Sequence, residues 1–260
     1  MLEEYLDFAV RMAEEAGRIQ LAYFRGDDLA MKTKSNVSDV VTRADRESEE
    51  LIVRRITERY PTHAVLGEEG GARGDAAGEW RWVVDPLDGT TNYSQGLPVF
   101  CVSIALQHRG ETVVGVVYAP YLRELFTAVR GGGAWCRRGA GEPVRLQVSA
   151  KQELARSVVA TGFPYDKSEN PDNNSDNVAR ILPRVRDVRR MGSAAYDLAC
   201  VASSMLDGFW ELNLHEWDVC AGNLLVTEAG GVVESLRPDR GVSLVAGNAT
   251  LVGCMKQYVR

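Results

Sequence analysis

The sequence lacks any long hydrophobic run. No apolar stretch in its 260 residues approaches the roughly 20 consecutive residues that a membrane-spanning helix needs. The chain begins MLEEYLDFAV, with acidic residues where a secretory signal carries positive charge. We therefore expect a soluble protein of the cytoplasm.

Cysteine, histidine and basic clusters are also scarce. The five cysteines form no CxxC pair, which favours reduced, mostly buried thiols over a disulfide framework or a zinc site. The three histidines have no metal-ligand spacing, so each is expected to be structural. A net charge of −6 without a basic block gives no signal for nucleic acid or an anionic membrane. These residues are Cys101, Cys136, Cys200, Cys220 and Cys254, and His63, His108 and His215.

The first half of the chain predicts helices followed by strands. A hydrophobic content of 45% lets the chain bury a large core in one or two closely joined domains. Apolar residues three or four apart predict a long N-terminal helix that Gly26 can end. A second helix is expected to start near Thr42, with Asp45 as its capping-box partner. Short β-branched and aromatic segments over residues 80–129 then predict a largely antiparallel meander.

The pattern changes near residue 150. Strand-like and helix-like segments alternate from there to the end. We therefore expect an α+β half at residues 1–148 joined to an α/β half at residues 149–260 in one compact unit. The stretch YDKSENPDNNSDN, residues 165–177, is rich in Asn, Asp and Ser, and its composition alone predicts a surface loop.

The stretch VVDPLDGTTN brings two aspartates and a threonine close together after an apolar run. A covalent aspartyl phosphatase needs its two aspartates at i and i+2, whereas Asp85 and Asp88 are at i and i+3. A strand that leads into a turn initiated by Pro86 can instead place both carboxylates and the Leu87 carbonyl around one point. Such an oxygen-rich cage implies a cation.

Two other segments supply further oxygen ligands. VLGEEGG places Glu68 at the end of another predicted strand, and HEWDVCAG places Asp218 at the start of a helix. Each fragment is weak alone, because solvated glutamates and helix-capping aspartates are common. Together they form an all-oxygen set, which favours Mg²⁺ or Mn²⁺ over zinc. Two carboxylates about 4 Å apart repel by roughly 4 kcal/mol at an effective dielectric near 20, so the cluster needs cations or protons.

In order and wording, GEE, WVVDPLDGTTN and WDVCAG…TEAGG resemble the inositol monophosphatase family of metal-dependent, lithium-sensitive sugar and polyol phosphatases. KSNVSDVVTRAD, TGFPYD, RRMGSAAYDLACVA and GNATL occur in the expected order, so the resemblance spans nearly the whole chain. It implies the five-layered αβαβα sandwich of the inositol monophosphatase and fructose-1,6-bisphosphatase type. It also implies a homodimer.

The resemblance implies a set of metal ligands. Glu68, Asp85 and the Leu87 carbonyl would hold one Mg²⁺ ion. Asp85, Asp88 and Asp218 would hold a second, so that Asp85 bridges the two ions. A third ion, held weakly through Glu68 and water, is expected from the same resemblance, and Mn²⁺ fits the same ligands.

The resemblance also implies direct in-line hydrolysis by water, without a phosphoenzyme. Thr90 and Glu68 are expected to orient a metal-activated water, with Asp45 supporting Thr90 or a metal-bound water. The backbone N–H groups of Gly89 and Thr90, at the opening of a predicted helix, can hold phosphate oxygens. Lys34 lies in the polar loop whose family counterpart closes over the metals, and a solvated lysine is the alternative interpretation.

Substrate choice is expected in the second half of the chain. Glu211 would accept hydrogen bonds from adjacent polyol hydroxyls, and the alternative is a surface glutamate at a strand end. Cys220 stands where relatives more often have alanine, so only small packing adjustments are expected there. The residues expected at the substrate are Asp88, Gly89, Thr90, Gly192, Ser193, Ala194, Glu211 and Asp218.

The sequence therefore predicts an inositol-phosphate phosphatase, a Mg²⁺-dependent phosphomonoesterase acting on inositol 1-phosphate or a similar polyol or sugar phosphate. Histidinol phosphate and fructose 1,6-bisphosphate stay open as substrates. The alternative of another class is a non-catalytic regulatory protein that binds metal and phosphometabolites. The intact set Glu68, Asp85, Asp88, Thr90 and Asp218 argues against that alternative.

Overall fold

A computed structural model describes residues 2–26, 29, 32–33, 40–75 and 78–260. Lys34, predicted to lie in a loop that closes over the metals, is outside these residues. The α-helices in the described ranges are α1 (Leu2–Tyr23), α2 (Arg43–Arg59), α3 (Thr90–Ser94), α4 (Ser175–Ile181), α5 (Ala194–Ala202), α6 (Glu216–Glu228) and α7 (Ala249–Met255). The strands are β1 (Lys32–Thr33), β2 (Val40–Val41), β3 (Ala64–Gly67), β4 (Gly71–Arg73), β5 (Trp80–Asp88), β6 (Cys101–His108), β7 (Glu111–Ala119), β8 (Glu124–Val129), β9 (Gly133–Arg138), β10 (Val144–Arg145), β11 (Val158–Thr161), β12 (Asp187–Arg189), β13 (Gly208–Leu214), β14 (Val232–Arg237) and β15 (Val242–Gly247).

Helices α1 and α2 form where the apolar spacing predicts them. Helix α1 buries one stripe that includes Ala9, Met12 and Ala16, which is the amphipathic pattern of a helix lying on a sheet. Helix α2 begins after Thr42 as its N-cap, and its third residue is Asp45. Both predicted helices are therefore confirmed.

The first large sheet has eight strands in the order β10-β9-β8-β7-β6-β5-β3-β4. Strands β5 to β9 pair antiparallel with their neighbours, which confirms the predicted meander. Strand β3 instead runs parallel to β5. Because parallel neighbours end at the same edge of a sheet, this pairing brings the residues after β3 next to the end of β5.

The second large sheet has five strands in the order β12-β11-β13-β15-β14. Strand β11 runs parallel to both β12 and β13, while β15 is antiparallel to β13 and β14. The predicted alternation of strands and helices in the second half is present, and α7 closes it at Met255.

The two sheets and their helices form five layers. Helices α1 and α2 cover the outer face of the eight-stranded sheet, and Trp82 is fully buried among them. Helices α5 and α6 fill the space between the two sheets. Helices α4 and α7 cover the outer face of the five-stranded sheet, where Trp210 is fully buried. Truncating either buried ring to alanine would cost about 3–5 kcal/mol of unfolding free energy. The predicted αβαβα sandwich is confirmed.

Two further features concern the chain as a whole. None of the helices in the described ranges combines the length and apolar character needed to cross a lipid bilayer. The cysteines are all unpaired thiols, and Cys254 alone among them is partly exposed. The expectation of mostly buried cysteines is therefore confirmed, and their reduced state stays a prediction.

Candidate active site

The end of β5 carries Asp85 and Asp88 into the cleft between the sheets. The strand does not end in the turn that the sequence predicts at Pro86. It continues to Asp88, and its register with β6 shifts between Asp85 and Asp88. Proline has no N–H to donate to a ladder, so an irregularity at this position is expected. The N–H of Leu87 donates to Asp85 Oδ1 at 2.9 Å, which orients that carboxylate.

Glu68 lies beside Asp85 because of the parallel pairing of β3 and β5. Gly67 is the register partner of Val84, so Glu68 and Asp85 follow at the same edge. The N–H of Glu68 donates to the Val84 carbonyl at 3.2 Å. The buried side chain of Glu49, which the sequence analysis did not single out, holds this turn by accepting from the Glu69 N–H at 2.8 Å.

Gly89 links β5 to the short helix α3. Its φ of 98° lies in the left-handed region, and a Cβ there would lie 2.9 Å from the Val99 carbonyl oxygen. Only glycine fits both constraints. The chain therefore turns at once after Asp88, which brings Thr90 back toward the carboxylates.

Thr90 is held by a buried network. Its hydroxyl lies 2.9 Å from Asp45 Oδ1 and 3.1 Å from the Leu87 carbonyl oxygen. The other Asp45 oxygen accepts from the N–H and the hydroxyl of Thr42 at 2.8 and 2.5 Å. The pKa of Asp45 is raised to about 6, mainly by burial and also by the charge of Glu68, while the hydrogen bonds from Thr42 and Thr90 oppose the shift.

Asp218 reaches the same place from the first turn of α6. Its Oδ2 accepts from the backbone N–H of the N-cap residue His215 at 2.6 Å, which is one half of a capping box. The His215 ring, expected to be only structural, lies at the rim of the same cavity and stacks on Trp217 with ring centroids 4.5 Å apart.

The predicted metal ligands line one cavity of about 200 Å³. Its walls include Glu68, Asp85, Leu87, Asp88 and Asp218. Within the part of the chain that the structure describes, no three His, Cys, Asp or Glu side chains approach closely enough to enclose an ion. Asp88 and Asp218 each direct one oxygen to a backbone N–H. The case for a cation therefore rests on the shared cavity, on the oxygen donor set and on electrostatics.

The electrostatics of this cavity favour a cation. Burial raises the pKa of Asp85 well above its usual value, and Glu68, Asp88 and Asp218 raise it further. Burial and the charge of Asp218 raise the pKa of Asp88 to about 7, although hydrogen bonds from Ala195 and Ser193 oppose the shift. A divalent cation in the cavity would lower these pKa values and stabilise the ionised carboxylates. Their oxygen atoms are the ligands that a hard cation such as Mg²⁺ prefers.

A second recess of about 70 Å³ adjoins the first cavity and contains Glu211. Glu211 lies within β13 and is 9% exposed, so the alternative of a surface glutamate at a strand end is wrong. A Cβ on Gly162 would lie 2.0 Å from a Glu211 oxygen, so glycine at 162 makes room for this carboxylate. The pKa of Glu211 is raised to about 8, mainly by burial and also by the charges of Asp218 and Asp88, while Arg190 opposes the shift.

The residues Gly192, Ser193 and Ala194 also line this recess. The Ser193 hydroxyl, expected beside the polyol, donates to Asp88 Oδ2 at 2.8 Å and is buried. The Ala195 N–H, at the start of α5, donates to the same oxygen at 2.7 Å. Ser193 and α5 therefore support Asp88 in this structure.

Sequence reasoning missed several residues at this site. Tyr165 lines both cavities, Arg190 lines the recess, and the Cys101 thiol lies 3.4 Å from the Ser193 hydroxyl. Tyr165 is part of TGFPYD, so that motif is the signal that could have indicated it. Although Tyr165 as a residue is half exposed, desolvation of its phenol at the cleft and the charges of Glu68 and the three aspartates raise the phenol pKa, so the phenol keeps its proton.

The comparisons with known proteins agree with this geometry. Residues 1–254 match the model of the inositol monophosphatase family. The chain belongs to the inositol monophosphatase family. Family and fold together support a phosphatase, and the family is generally metal-dependent.

Several family relatives are similar over most of their length. The "Nus factor SuhB" of Pasteurella multocida (strain Pm70) is 45% identical over 88% of this chain and 84% of its own. The inositol monophosphatase structure from Anabaena (Nostoc) sp. PCC 7120 has a TM-score of 0.87 and 37% identity, covering 99% of this chain and 95% of its own. A SaIMPase-II structure described as inositol monophosphate bound has a TM-score of 0.78 and 27% identity, covering 97% of this chain and 92% of its own. Another, described as 2'AMP bound, has a TM-score of 0.78 and 29% identity, covering 97% and 93%.

Proposed function

We propose that this chain is a Mg²⁺-dependent phosphomonoesterase that hydrolyses inositol 1-phosphate, or a similar polyol or sugar phosphate, to the alcohol and inorganic phosphate. The observation that carries the proposal is the meeting of Glu68, Asp85, Leu87, Asp88 and Asp218 at one cavity that adjoins the Glu211 recess. This arrangement offers cation ligands on one side and a polyol acceptor on the other.

The proposed ligands divide into two overlapping sets. Glu68, Asp85 and the Leu87 carbonyl would hold one divalent cation, and Asp85, Asp88 and Asp218 a second, with Mn²⁺ as the alternative to Mg²⁺. A third, weaker ion would bind through Glu68 and water. When bound, these cations supply countercharge for the phosphate and activate water for attack.

Other residues of the chain would position the reacting groups. Because the Thr90 hydroxyl donates a hydrogen bond to Asp45 Oδ1 at 2.9 Å, its oxygen can accept a hydrogen bond from the attacking water. Glu68 would orient the same water from the other side. The N–H groups of Gly89 and Thr90 would hold phosphate oxygens, and Glu211 would accept from polyol hydroxyls.

The relatives support a polyol phosphate as substrate. The SaIMPase-II structures are described with inositol monophosphate and with 2'AMP, so the test panel should include a nucleotide monophosphate. We also propose that the chain forms a homodimer, as the resemblance to the family implies.

The proposal is tested by phosphate release with inositol 1-phosphate, histidinol phosphate, fructose 1,6-bisphosphate and 2'-AMP, each with and without Mg²⁺. We expect Mg²⁺-dependent release, fastest with inositol 1-phosphate, and inhibition by lithium. Asp218→Asn should lower turnover at least about a hundredfold, since electrostatic contributions of this kind are worth about 10²–10³. Asp187→Asn is the matched control, because Asp187 is half exposed and pairs with Arg189 at 2.6 Å. Equal turnover in Asp218→Asn and the wild type would refute the assignment.

A second candidate function is a regulatory protein that binds metal and a phosphometabolite without hydrolysis. The observation that favours it is the name "Nus factor SuhB" carried by relatives such as the one from Pasteurella multocida. A chain that binds Mg²⁺ and inositol 1-phosphate in a thermal-shift measurement but releases no phosphate would favour this second function.

A further inference from the structure

The segment 162–174 forms a closed loop between β11 and α4. Asn174 ties its ends together, because Nδ2 donates to the Gly162 carbonyl at 2.6 Å and to Thr161 Oγ1 at 2.8 Å. The Trp210 indole N–H donates to Asn174 Oδ1 at 2.8 Å, which fixes the base of the loop to β13. Compact surface loops with neighbouring ends are frequently functional.

This loop is more than the polar surface loop that its composition predicts. Its residue Tyr165 lines both the carboxylate cavity and the Glu211 recess. Asp88, Gly89, Thr90 and Asp218 also line both cavities, so Tyr165 stands at the boundary where an ester would span them. Tyr165 is 51% exposed as a residue, so packing alone does not explain its position over the cleft.

Arg240, far from Tyr165 in sequence, holds the residue next to it. Both oxygens of the Asp166 carboxylate accept from Arg240 Nη2, at 2.5 and 2.7 Å. Arg240 Nη1 also donates to the Asp172 carbonyl. The Arg240 side chain is 13% exposed and the Asp166 side chain is 41% exposed, so solvent screens the guanidinium side of this pair less than it screens a fully exposed pair.

The hairpin that carries Arg240 is anchored to the substrate side of the site. The Ser243 hydroxyl donates to the Arg240 carbonyl at 2.9 Å and accepts from the Asn213 N–H at 3.0 Å. Asn213 lies two residues after Glu211 on β13. A continuous set of hydrogen bonds therefore relates the Tyr165 loop to the strand that carries Glu211.

We propose that Tyr165 contacts the bound ester and that Arg240 is a positioning residue that holds Tyr165 there through Asp166. The proposal rests on the phosphatase function proposed above and adds a specificity residue to it. The Tyr165 phenol donates a hydrogen bond to the phosphate ester or to a polyol hydroxyl, and its ring provides a flat apolar wall for the C–H face of a cyclic polyol. Glu211 accepts hydrogen bonds from hydroxyls in the same recess.

The positioning role is tested without catalysis, by hydrogen exchange of the 162–174 segment. Arg240→Met should increase exchange there at least about tenfold, since the loop then opens without its ionic anchor. Asp166→Asn should do the same to a smaller extent. Arg130→Met is the matched control, because the exposed Arg130–Glu111 pair at 2.7 Å lies in the eight-stranded sheet, where no contact with the loop is involved. Unchanged loop exchange in Arg240→Met would overturn the positioning role.

The contact with substrate is tested by kcat and KM for inositol 1-phosphate. Tyr165→Phe should lower kcat/KM roughly threefold to tenfold, the range for one neutral hydrogen bond, and Arg240→Met at least as much. The double variant should be no worse than Arg240→Met alone, because both changes act on one contact. Multiplied losses in the double variant, or a Tyr165→Phe enzyme equal to the wild type, would overturn the contact. If the wild type releases no phosphate from any ester, the proposed function fails, and calorimetric binding of inositol 1-phosphate to wild type and Tyr165→Phe then decides the contact.

Discussion

Burial of the Glu211 carboxylate gives this residue a strong influence on which substrate fits the recess. Its carboxylate is buried against Gly162, in a site where an unpaired acceptor is costly. A substrate with adjacent hydroxyls would satisfy that acceptor. A substrate without them would leave it unpaired, which is the physical basis of discrimination between polyol esters and simpler esters.

This account predicts the behaviour of Glu211→Gln. The variant should lose more kcat/KM on inositol 1-phosphate than on p-nitrophenyl phosphate, which has no hydroxyl to donate. At pH values above the Glu211 pKa of about 8, where the carboxylate is charged, a difference of about tenfold or more is expected for hydrogen bonds to it. Steady-state kinetics on the two esters measures it, and equal losses would remove Glu211 from specificity.

The raised pKa of Glu211 predicts a pH dependence of stability. Since its folded pKa of about 8 lies above its usual 4.5, the folded state binds the proton more tightly. The associated stability is fully present below about pH 4.5 and is lost as pH rises to about 8, at about 1.4 kcal/mol per pH unit. Glu211→Gln lacks this dependence. The difference between its unfolding free energy and that of the wild type should therefore increase in favour of the variant as pH rises. Urea unfolding at several pH values in metal-free buffer checks this, and a constant difference would contradict it.

Some residue positions were predictable from sequence and others were not. Asp85, Asp88 and Asp218 were predictable because each stands in a short motif next to a strong strand or helix signal. Arg240 was not, because its contact with Asp166 spans 74 residues of chain and has no local periodicity. The polar composition of the 162–174 loop predicts that it lies at the surface. It does not indicate that Arg240 binds the loop.

At the scale of elements, the packing of α5 on α6 relies on a glycine. A Cβ on Gly222 would lie 2.6 Å from the Leu198 Cβ, so the two helices approach closely at this point. Both helices lie between the two sheets and carry Ala195 and Asp218. Their spacing therefore helps to set the distance between two sides of the site.

Gly222→Ala is predicted to destabilise the protein. Alanine gains about 1 kcal/mol of helix propensity, whereas overpacking at such a contact costs about 1–3 kcal/mol, so the net effect is a loss. Gly253→Ala is the matched control, because a Cβ at this position in α7 meets nothing within 4 Å. That control should gain about 0.5–1 kcal/mol. Denaturant unfolding compares the two variants, and a stabilised Gly222→Ala would contradict the close packing.

Element types were the most predictable part of the fold. The helices and strands follow from residue spacing that lies within one segment, as in α1 and β6. The irregularity after Asp85 was predicted as a turn, because a proline such as Pro86 is equally typical of a turn and of an irregular position in a strand. The pairing of Asp88 with Cys101 of β6 keeps the chain extended through Asp88.

At the scale of the molecule, the five layers place the carboxylates on elements far apart in sequence. Strand β5 and helix α6 come together only in the complete fold. The repulsion between the carboxylates that they carry therefore opposes folding. Cations that bind only the folded state should offset this repulsion.

The division of the chain at residues 148 and 149 stays a prediction. The homodimer also stays a prediction, and sedimentation equilibrium should give twice the 28.6 kDa of the chain.

Magnesium should therefore stabilise the whole protein. At 100 times its dissociation constant, a ligand specific for the folded state adds about 2.7 kcal/mol, which raises the melting temperature by several degrees. Asp88→Asn should melt at or above the temperature of the wild type without Mg²⁺, and should show a smaller increase with it. Calorimetric melting with and without Mg²⁺ measures both, and an equal Mg²⁺ response in the variant would contradict the assignment of Asp88.

The most direct measurement is a crystal structure of the chain grown with Mn²⁺, with anomalous scattering to locate the metal. Our account predicts anomalous peaks in the cavity bounded by Glu68, Asp85, Asp88 and Asp218, with carboxylate oxygens as ligands. Peaks at other places only, with these four side chains turned away from one another, would contradict it.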